Sequence, residues 1–143
     1  MLAYDPAMTS DSAASPPMSP RAREIVAAAR ELLEAEGSVS MRRLADRLGI
    51  KAPSLYKHVR DKGALEAALI SDAFLDAAER FERAGDIDEL GAAYRAFALE
   101  HPHLYRLMYA FAHGMVILEL GGRFPDGADL DAAWARGLRA FAT

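Results

Sequence analysis

Residues 40–62 read SMRRLADRLGIKAPSLYKHVRDK, and the order of apolar and charged side chains in this stretch decides the fold. Met41, Leu44, Ala45 and Leu48 recur at i, i+3, i+4 and i+7, the spacing of one helix face, with Ser40 placed to cap the first turn and Gly49 to close the last. The turn Gly49-Ile50-Lys51 leads into a second short helix beginning at Ala52, where Pro53 falls in the first turn and its missing N–H costs nothing. Only Leu55 and Val59 of that segment are placed to reach a core. Ala45 is small where two helices must approach, Gly49 can take a positive φ, and Leu55 plugs the second helix into the first, with Leu44, Leu48 and Ile50 around it. Short helix, tight glycine turn, short basic helix is the outline of a helix-turn-helix.

From Ser19 onward the flanking sequence also reads as helical. Upstream, Ser19 and Pro20 start a helix whose face is Ile25, Ala29, Leu32 and Leu33, and Gly37 stops it. Downstream, Asp61 caps a longer helix carrying Leu65, Leu69, Ile70, Phe74, Ala77 and Phe81 up to Gly85. Asp86 and Glu89 form an acidic variant of the capping box for a helix expected to turn Ile87, Leu90, Tyr94 and Phe97 inward until Pro102. Leu104, Leu107, Met108, Phe111, Met115 and Leu118 continue the pattern to Gly121-Gly122, and Leu130, Trp134, Gly137, Leu138 and Phe141 make a last stripe. No strand pattern or internal repeat is present, so the expected class is all-α. Residues 1–18, rich in Ala, Ser, Pro and Asp, read as a flexible arm; 19–62 as a three-helix unit with the helix-turn-helix at about 40–59; and 63–143 as a helical regulatory and dimerisation domain.

The chain has 143 residues, about one ordinary domain, and its 52% apolar content is enough for a core, which excludes a disordered chain. Without cysteine it can build neither a disulfide framework nor a thiolate zinc site, and a cytoplasmic location is expected. The longest strictly apolar runs, such as Met115-Val116-Ile117-Leu118, are far too short to span a bilayer, so no membrane partner is expected. The first 18 residues carry Asp5 and Asp11 and no Lys or Arg, the pattern of neither a secretory signal nor a presequence. Net charge is −4, yet residues 38–62 hold seven bases and two acids, +5 against −9 for the remainder. A basic segment on an acidic body suits one surface that meets phosphate; charge alone would equally describe a solvated helix face.

Were the second helix to enter a major groove, Lys51, Ala52, Pro53 and Ser54 at its N-terminal end would lie nearest base edges, with Lys57 one turn on. Lysine donates to guanine O6 or N7, and Pro or Ala can touch a thymine methyl. Arg42 can reach a base edge or a phosphate, whereas Arg47 reads as solvated. Ser40, Tyr56, His58 and Lys62 suit phosphates, since a hydroxyl, an imidazole N–H and an ammonium each donate to an anionic oxygen.

Residues 40–62, and within them Leu55-Tyr56-Lys57-His58-Val59, resemble the DNA-binding unit of the tetracycline-repressor (TetR) family and its Leu-Tyr-x-His-Val/Phe signature, over roughly residues 19–80. The resemblance implies a homodimeric regulator of transcription, usually a repressor on a palindromic operator, whose C-terminal helices bind a small-molecule effector and pull the two reading helices out of register. Lys62 matches the family's lysine at the start of the fourth helix. Gly63 departs from the larger residue usual beside it, which weakens the first turn there by up to ~1 kcal/mol. Tyr94 to Ala98, His101 to Met108 and His113-Gly114 to Phe124 are similar to a Trp/His/Gly-type C-terminal domain, with Tyr109 at the tryptophan position and a shortened stretch between Met108 and His113.

The remaining features have competing readings. His101-Pro102-His103 with His113 would make a metal cluster, but no carboxylate or thiolate stands at matching spacing, so a polar corner is expected and neither metal nor cofactor. The Leu104 to Leu118 stripe is core, or else the wall of an effector cavity to which Phe97, Tyr105, Met108 and Phe111 contribute. Leu130, Trp134, Leu138 and Phe141, with Met115 and Leu118, are core or dimer interface, and the resemblance favours the interface. No Ser/His/Asp order, phosphate-cradling glycine loop or carboxylate pair appears, so no catalytic residue is assigned. The alternative is a small-molecule-binding helical protein in which the helix-turn-helix is scaffold.

Overall fold

A computed structural model describes residues 18–139, with side chains through Trp134. These residues form seven helices: α1 (Pro20–Glu36), α2 (Met41–Leu48), α3 (Ala52–Tyr56), α4 (Lys62–Glu82), α5 (Ile87–Glu100), α6 (Pro102–Leu120) and α7 (Leu130–Arg139). The all-α class read from the sequence is the class observed. The arm assigned to residues 1–18 lies outside the described residues except for Met18, which packs against the core.

The helix starts follow their capping residues. Ser19 Oγ accepts from the Ala22 N–H at 3.1 Å, Ser40 Oγ from Arg43 at 3.2 Å, Asp61 Oδ1 from Ala64 at 2.8 Å, and Asp86 Oδ1 from Glu89 at 2.8 Å. Each satisfies a donor that the first helical turn leaves without an internal partner. The ends of α1 and α2 share another device: Gly37 (φ +76°) and Gly49 (φ +65°) adopt the left-handed conformation and turn the chain back.

One cluster of buried side chains runs from Ile25 to Met108. Helix α4 is its axis, packed against α1, α5, α6 and α7. Its buried face alternates Leu65, Leu69 and Ile70 with Ala64, Ala68, Ala73 and Ala77, so that small side chains let neighbours approach while the large ones fill the gaps. Phe97, Leu104, Leu44 and Leu55 are fully buried, each contributing about 1.5–3 kcal/mol of transfer free energy.

The structure departs from the sequence reading at several boundaries and faces. Helix α3 closes after Tyr56, short of the segment to Val59, and α4 ends at Glu82, before Gly85. On α5 only Phe97 is buried; Ile87, Leu90 and Tyr94 are exposed. On α6 burial stops at Met108, and Leu118 is exposed. The reason is common to both helices: periodicity fixes which residues share a face, whereas coverage depends on what packs there, and the described core ends at the α4 side of these stripes.

Candidate nucleic-acid interface

The α2–α3 unit is pinned from within. Leu44, Ala45 and Leu55 are buried, Leu48 and Ile50 pack at the edge of the same core, and Gly49 is exposed at the turn. The Gly49 N–H reaches the Asp46 carbonyl at 3.1 Å and the Ile50 N–H the Ala45 carbonyl at 3.0 Å, which fixes the exit direction of the chain. Lys51 is extended (φ −81°, ψ 148°), and its carbonyl accepts from Ser54 at 2.9 Å and from Leu55 at 3.3 Å, starting α3 with Pro53 in the donor-free first turn.

The residues just after α3 set the surface. The Leu55 carbonyl accepts from both the His58 N–H (2.9 Å) and the Val59 N–H (3.0 Å), a tight turn between two fully buried side chains, Leu55 and Val59. Tyr56, Lys57 and His58 lie between these anchors and all three are exposed. Just before them in the chain, Lys51 and Pro53 are exposed and Ala52 and Ser54 half-buried.

The basic residues fall into two groups. Arg43 pairs with Glu36 of α1 at 2.7 Å, Arg47 with Glu31 of α1 at 2.6 Å, Arg60 with Asp61 at 3.3 Å and Lys62 with Glu66 at 3.7 Å. Arg42, Lys51 and Lys57 form no ion pair among the described residues, and their cationic ends are open to an external anion. Exposed ion pairs contribute little, about 0–1 kcal/mol, so Lys62 can exchange Glu66 for a phosphate. The Ala64 N–H, then the nearby Arg60, hold the Asp61 carboxyl below its ordinary range, keeping the α4 cap charged beside this basic surface.

The comparisons are consistent with this geometry. The sequence profile of the bacterial regulatory proteins of the tetR family matches residues 25–69, from the first buried isoleucine of α1 into α4. Residues 25–69 are this family's N-terminal helix-turn-helix domain. It is 33% identical over 111 residues to an uncharacterized HTH-type transcriptional regulator, YobS, of Bacillus subtilis (strain 168), an alignment covering 67% of this chain and 57% of that protein. The chain thus spans a little over half the length of that relative. Among solved structures it is similar to a protein with unknown function from Rhodococcus sp. RHA1, with a TM-score of 0.54 and 26% identity over 87% of this chain and 97% of that chain. The tetR family is one of regulators, and its helix-turn-helix is here α2–α3.

The other assigned residues that are described belong to α5, α6 and α7. Phe97 and Met108 are buried in the core, while Tyr105 and Phe111 are half-buried. Tyr105 shares a 2.6 Å hydroxyl contact with Tyr94, and Phe111 meets Trp134 edge-on at 5.6 Å. Met115, Leu130 and Trp134 are half-buried and Leu118 exposed; the Leu138 side chain and Phe141 lie outside the described residues. The two histidines of His101-Pro102-His103 diverge, the His101 ring toward Phe97 and Arg80 and the His103 ring against Gly37. Among the described residues no three His, Asp or Glu side chains are grouped as a metal ion requires. None of the described helices is long and apolar enough to cross a membrane.

Sequence reasoning missed the polar links between α1 and the later helices. Arg30 of α1 bridges Asp72 and Asp76 of α4, Arg80 joins Asp76 to Glu100 of α5, and Glu34 of α1 reaches the start of α6. A partial signal was present: Asp72, Asp76 and Arg80 are spaced i, i+4, i+8, a charged stripe on a helix that otherwise has an apolar face.

Proposed function

We propose that this protein is a DNA-binding regulator of transcription, acting in the cytoplasm as a homodimer on a palindromic operator and released by a small-molecule effector, and hence a repressor. The observation that carries the reading is the outward ejection of Tyr56-Lys57-His58 between two buried anchors, with Arg42, Lys51 and Lys57 forming no ion pair among the described residues. In this reading Arg42, Lys51, Ala52, Pro53, Ser54 and Lys57 face base edges in the major groove, while Ser40, Tyr56, His58 and Lys62 donate to phosphates and set the register. Pro53 offers an exposed apolar ring to a thymine methyl. The half-buried Met115, Leu130 and Trp134 and the exposed Leu118, together with Leu138 and Phe141, are proposed to pair across a two-fold axis. The effector is proposed to enter beside Tyr105 and Phe111, with Phe97 and Met108 behind them.

The decisive experiment is a salt titration of binding to duplex enriched by the purified protein from a random pool. Neutralisation of 6–10 phosphates lowers affinity by roughly 10³–10⁵ between 50 and 200 mM salt. Absence of binding to any duplex at low ionic strength would overturn the reading and favour a helical protein that binds only small molecules.

A further inference from the structure

Helix α6 does not cap itself. His101 at its N-cap makes no side-chain hydrogen bond to the first turn, and Pro102 has no N–H to offer. The next two donors, the N–H groups of His103 and Leu104, both reach Glu34 of α1, at 3.4 Å to Oε2 and 2.8 Å to Oε1. The following donor, Tyr105 N–H, closes the first internal bond to the His101 carbonyl at 2.8 Å. A single carboxylate on α1 therefore satisfies the first turn of α6 and places negative charge at the positive end of its dipole.

Two adjacent contacts hold the same joint. The His103 ring lies against Gly37, the left-handed residue that ends α1, so closely that a Cβ there would stand 3.2 Å from Cε1. Leu104, the second residue bonded to Glu34, is fully buried in the core that includes Leu32 and Leu33 of α1. Besides the shared helix α4, this joint connects the α1–α3 unit to the helices behind it. At 1.5 Å per residue the 19 residues of α6 make a lever of roughly 28 Å, so a tilt of ~10° at Glu34 moves the far end by about 5 Å. Of the residues proposed for dimerisation, Met115 and Leu118 stand in the last two turns of that helix, and the Trp134 indole N–H reaches Glu119 beside them at 3.4 Å.

We infer that Glu34 is a positioning residue: by capping α6 from α1 it sets the angle between the DNA-reading unit and the lever that leads to the partner subunit, and with it the separation of the two reading heads. This rests on the dimeric DNA-binding reading above. A palindrome demands heads about 34–36 Å apart, so a shift of a few ångström at one end of each protomer degrades two-headed binding while each head remains intact.

The test compares two duplexes: the palindrome enriched by the wild-type protein, and the same duplex with one half scrambled. Glu34→Ala is expected to lower affinity for the palindrome about tenfold, within the roughly 5–150-fold range of coupling between sites, and to leave the half-scrambled duplex within about twofold. Glu34→Gln keeps one acceptor oxygen and is expected to retain most of the palindrome preference; faster hydrogen exchange at the Leu104 amide in Glu34→Ala reports the loss of the cap. Equal losses on both duplexes, or no change on either, would overturn the inference, since a residue needed only for folding weakens both alike. Wild-type protein that binds neither duplex would instead remove the DNA-binding reading itself.

Discussion

Arg30 of α1 and Asp76 of α4 meet at 2.5 Å across 46 residues of sequence, and each is shared with a second partner: Arg30 with Asp72 at 2.8 Å, Asp76 with Arg80 at 2.8 Å. Arg80 extends the chain to Glu100 at 2.7 Å and lies over the buried Phe97 ring at 5.5 Å. A line of alternating charges thus crosses from α1 of the helix-turn-helix unit through α4 to α5. Both members of the central pair are about three-quarters shielded from solvent, so the network is screened less than an exposed pair.

Burial alone would raise the Asp76 carboxyl, but the hydrogen bonds from Arg30 and Arg80 outweigh it and hold the group below its ordinary range. A carboxyl depressed in the folded state contributes stability that is complete above its unfolded pKa and is lost as pH falls through the folded one. Thermal melts are therefore expected to show stability declining below about pH 4. Arg30→Met should destabilise by ~1–2 kcal/mol at neutral pH and flatten that acid dependence; an unchanged acid limb would show that Asp76 does not drive it.

Gly49 and Gly37 separate backbone strain from crowding. Both have positive φ, but a Cβ at Gly49 meets nothing within 4 Å whereas one at Gly37 meets His103. Gly49→Ala is expected to cost about 1–2 kcal/mol, the left-handed penalty alone. Gly37→Ala should cost more in parallel urea unfolding, because the His103 ring must also yield.

Buried and exposed neighbours in the 55–62 segment should separate fold from recognition. Leu55→Ala opens a cavity in a fully buried position and is expected to lose about 2–5 kcal/mol of stability, and DNA binding with it. Tyr56→Phe and Lys62→Ala should leave the melting temperature nearly unchanged and weaken all duplexes alike, whereas Lys57→Ala should alter which sequences are preferred. Equal effects of these last three on selected and random DNA would contradict the division between phosphate and base contacts.

The hydrogen bond to Tyr94, followed by partial burial, pushes the Tyr105 phenol up to about 12. A spectrophotometric titration of the tyrosines should contain one late component, and Tyr94→Phe should bring it earlier. The absence of such a component in the wild type would mean that the 2.6 Å hydroxyl contact does not persist in solution.

The α2–α3 unit was legible because its information is local. Ser40, Gly49, Pro53 and the Leu55/Val59 spacing each act within a few residues, and each capping group and left-handed glycine sits where the sequence placed it. The stripes of α5 and α6 were less legible. Ile87, Leu90 and Tyr94 have the spacing of an inward face and are exposed, since spacing says which side chains lie together and is silent on what covers them.

By itself the sequence determined the helical class, the helix starts marked by caps, the glycine ends of α1 and α2, and the place of the cationic segment, because these depend on dihedral preference and short-range hydrogen bonding. Only the tertiary structure decided which arginines of that segment are held by α1 acids and which are open. It alone showed that Glu34 caps a helix 70 residues away and that Arg30 bridges two carboxylates of α4. Such pairings are set by the angles at which helices cross, and those angles follow from the packing of the whole core rather than from any one stretch of chain.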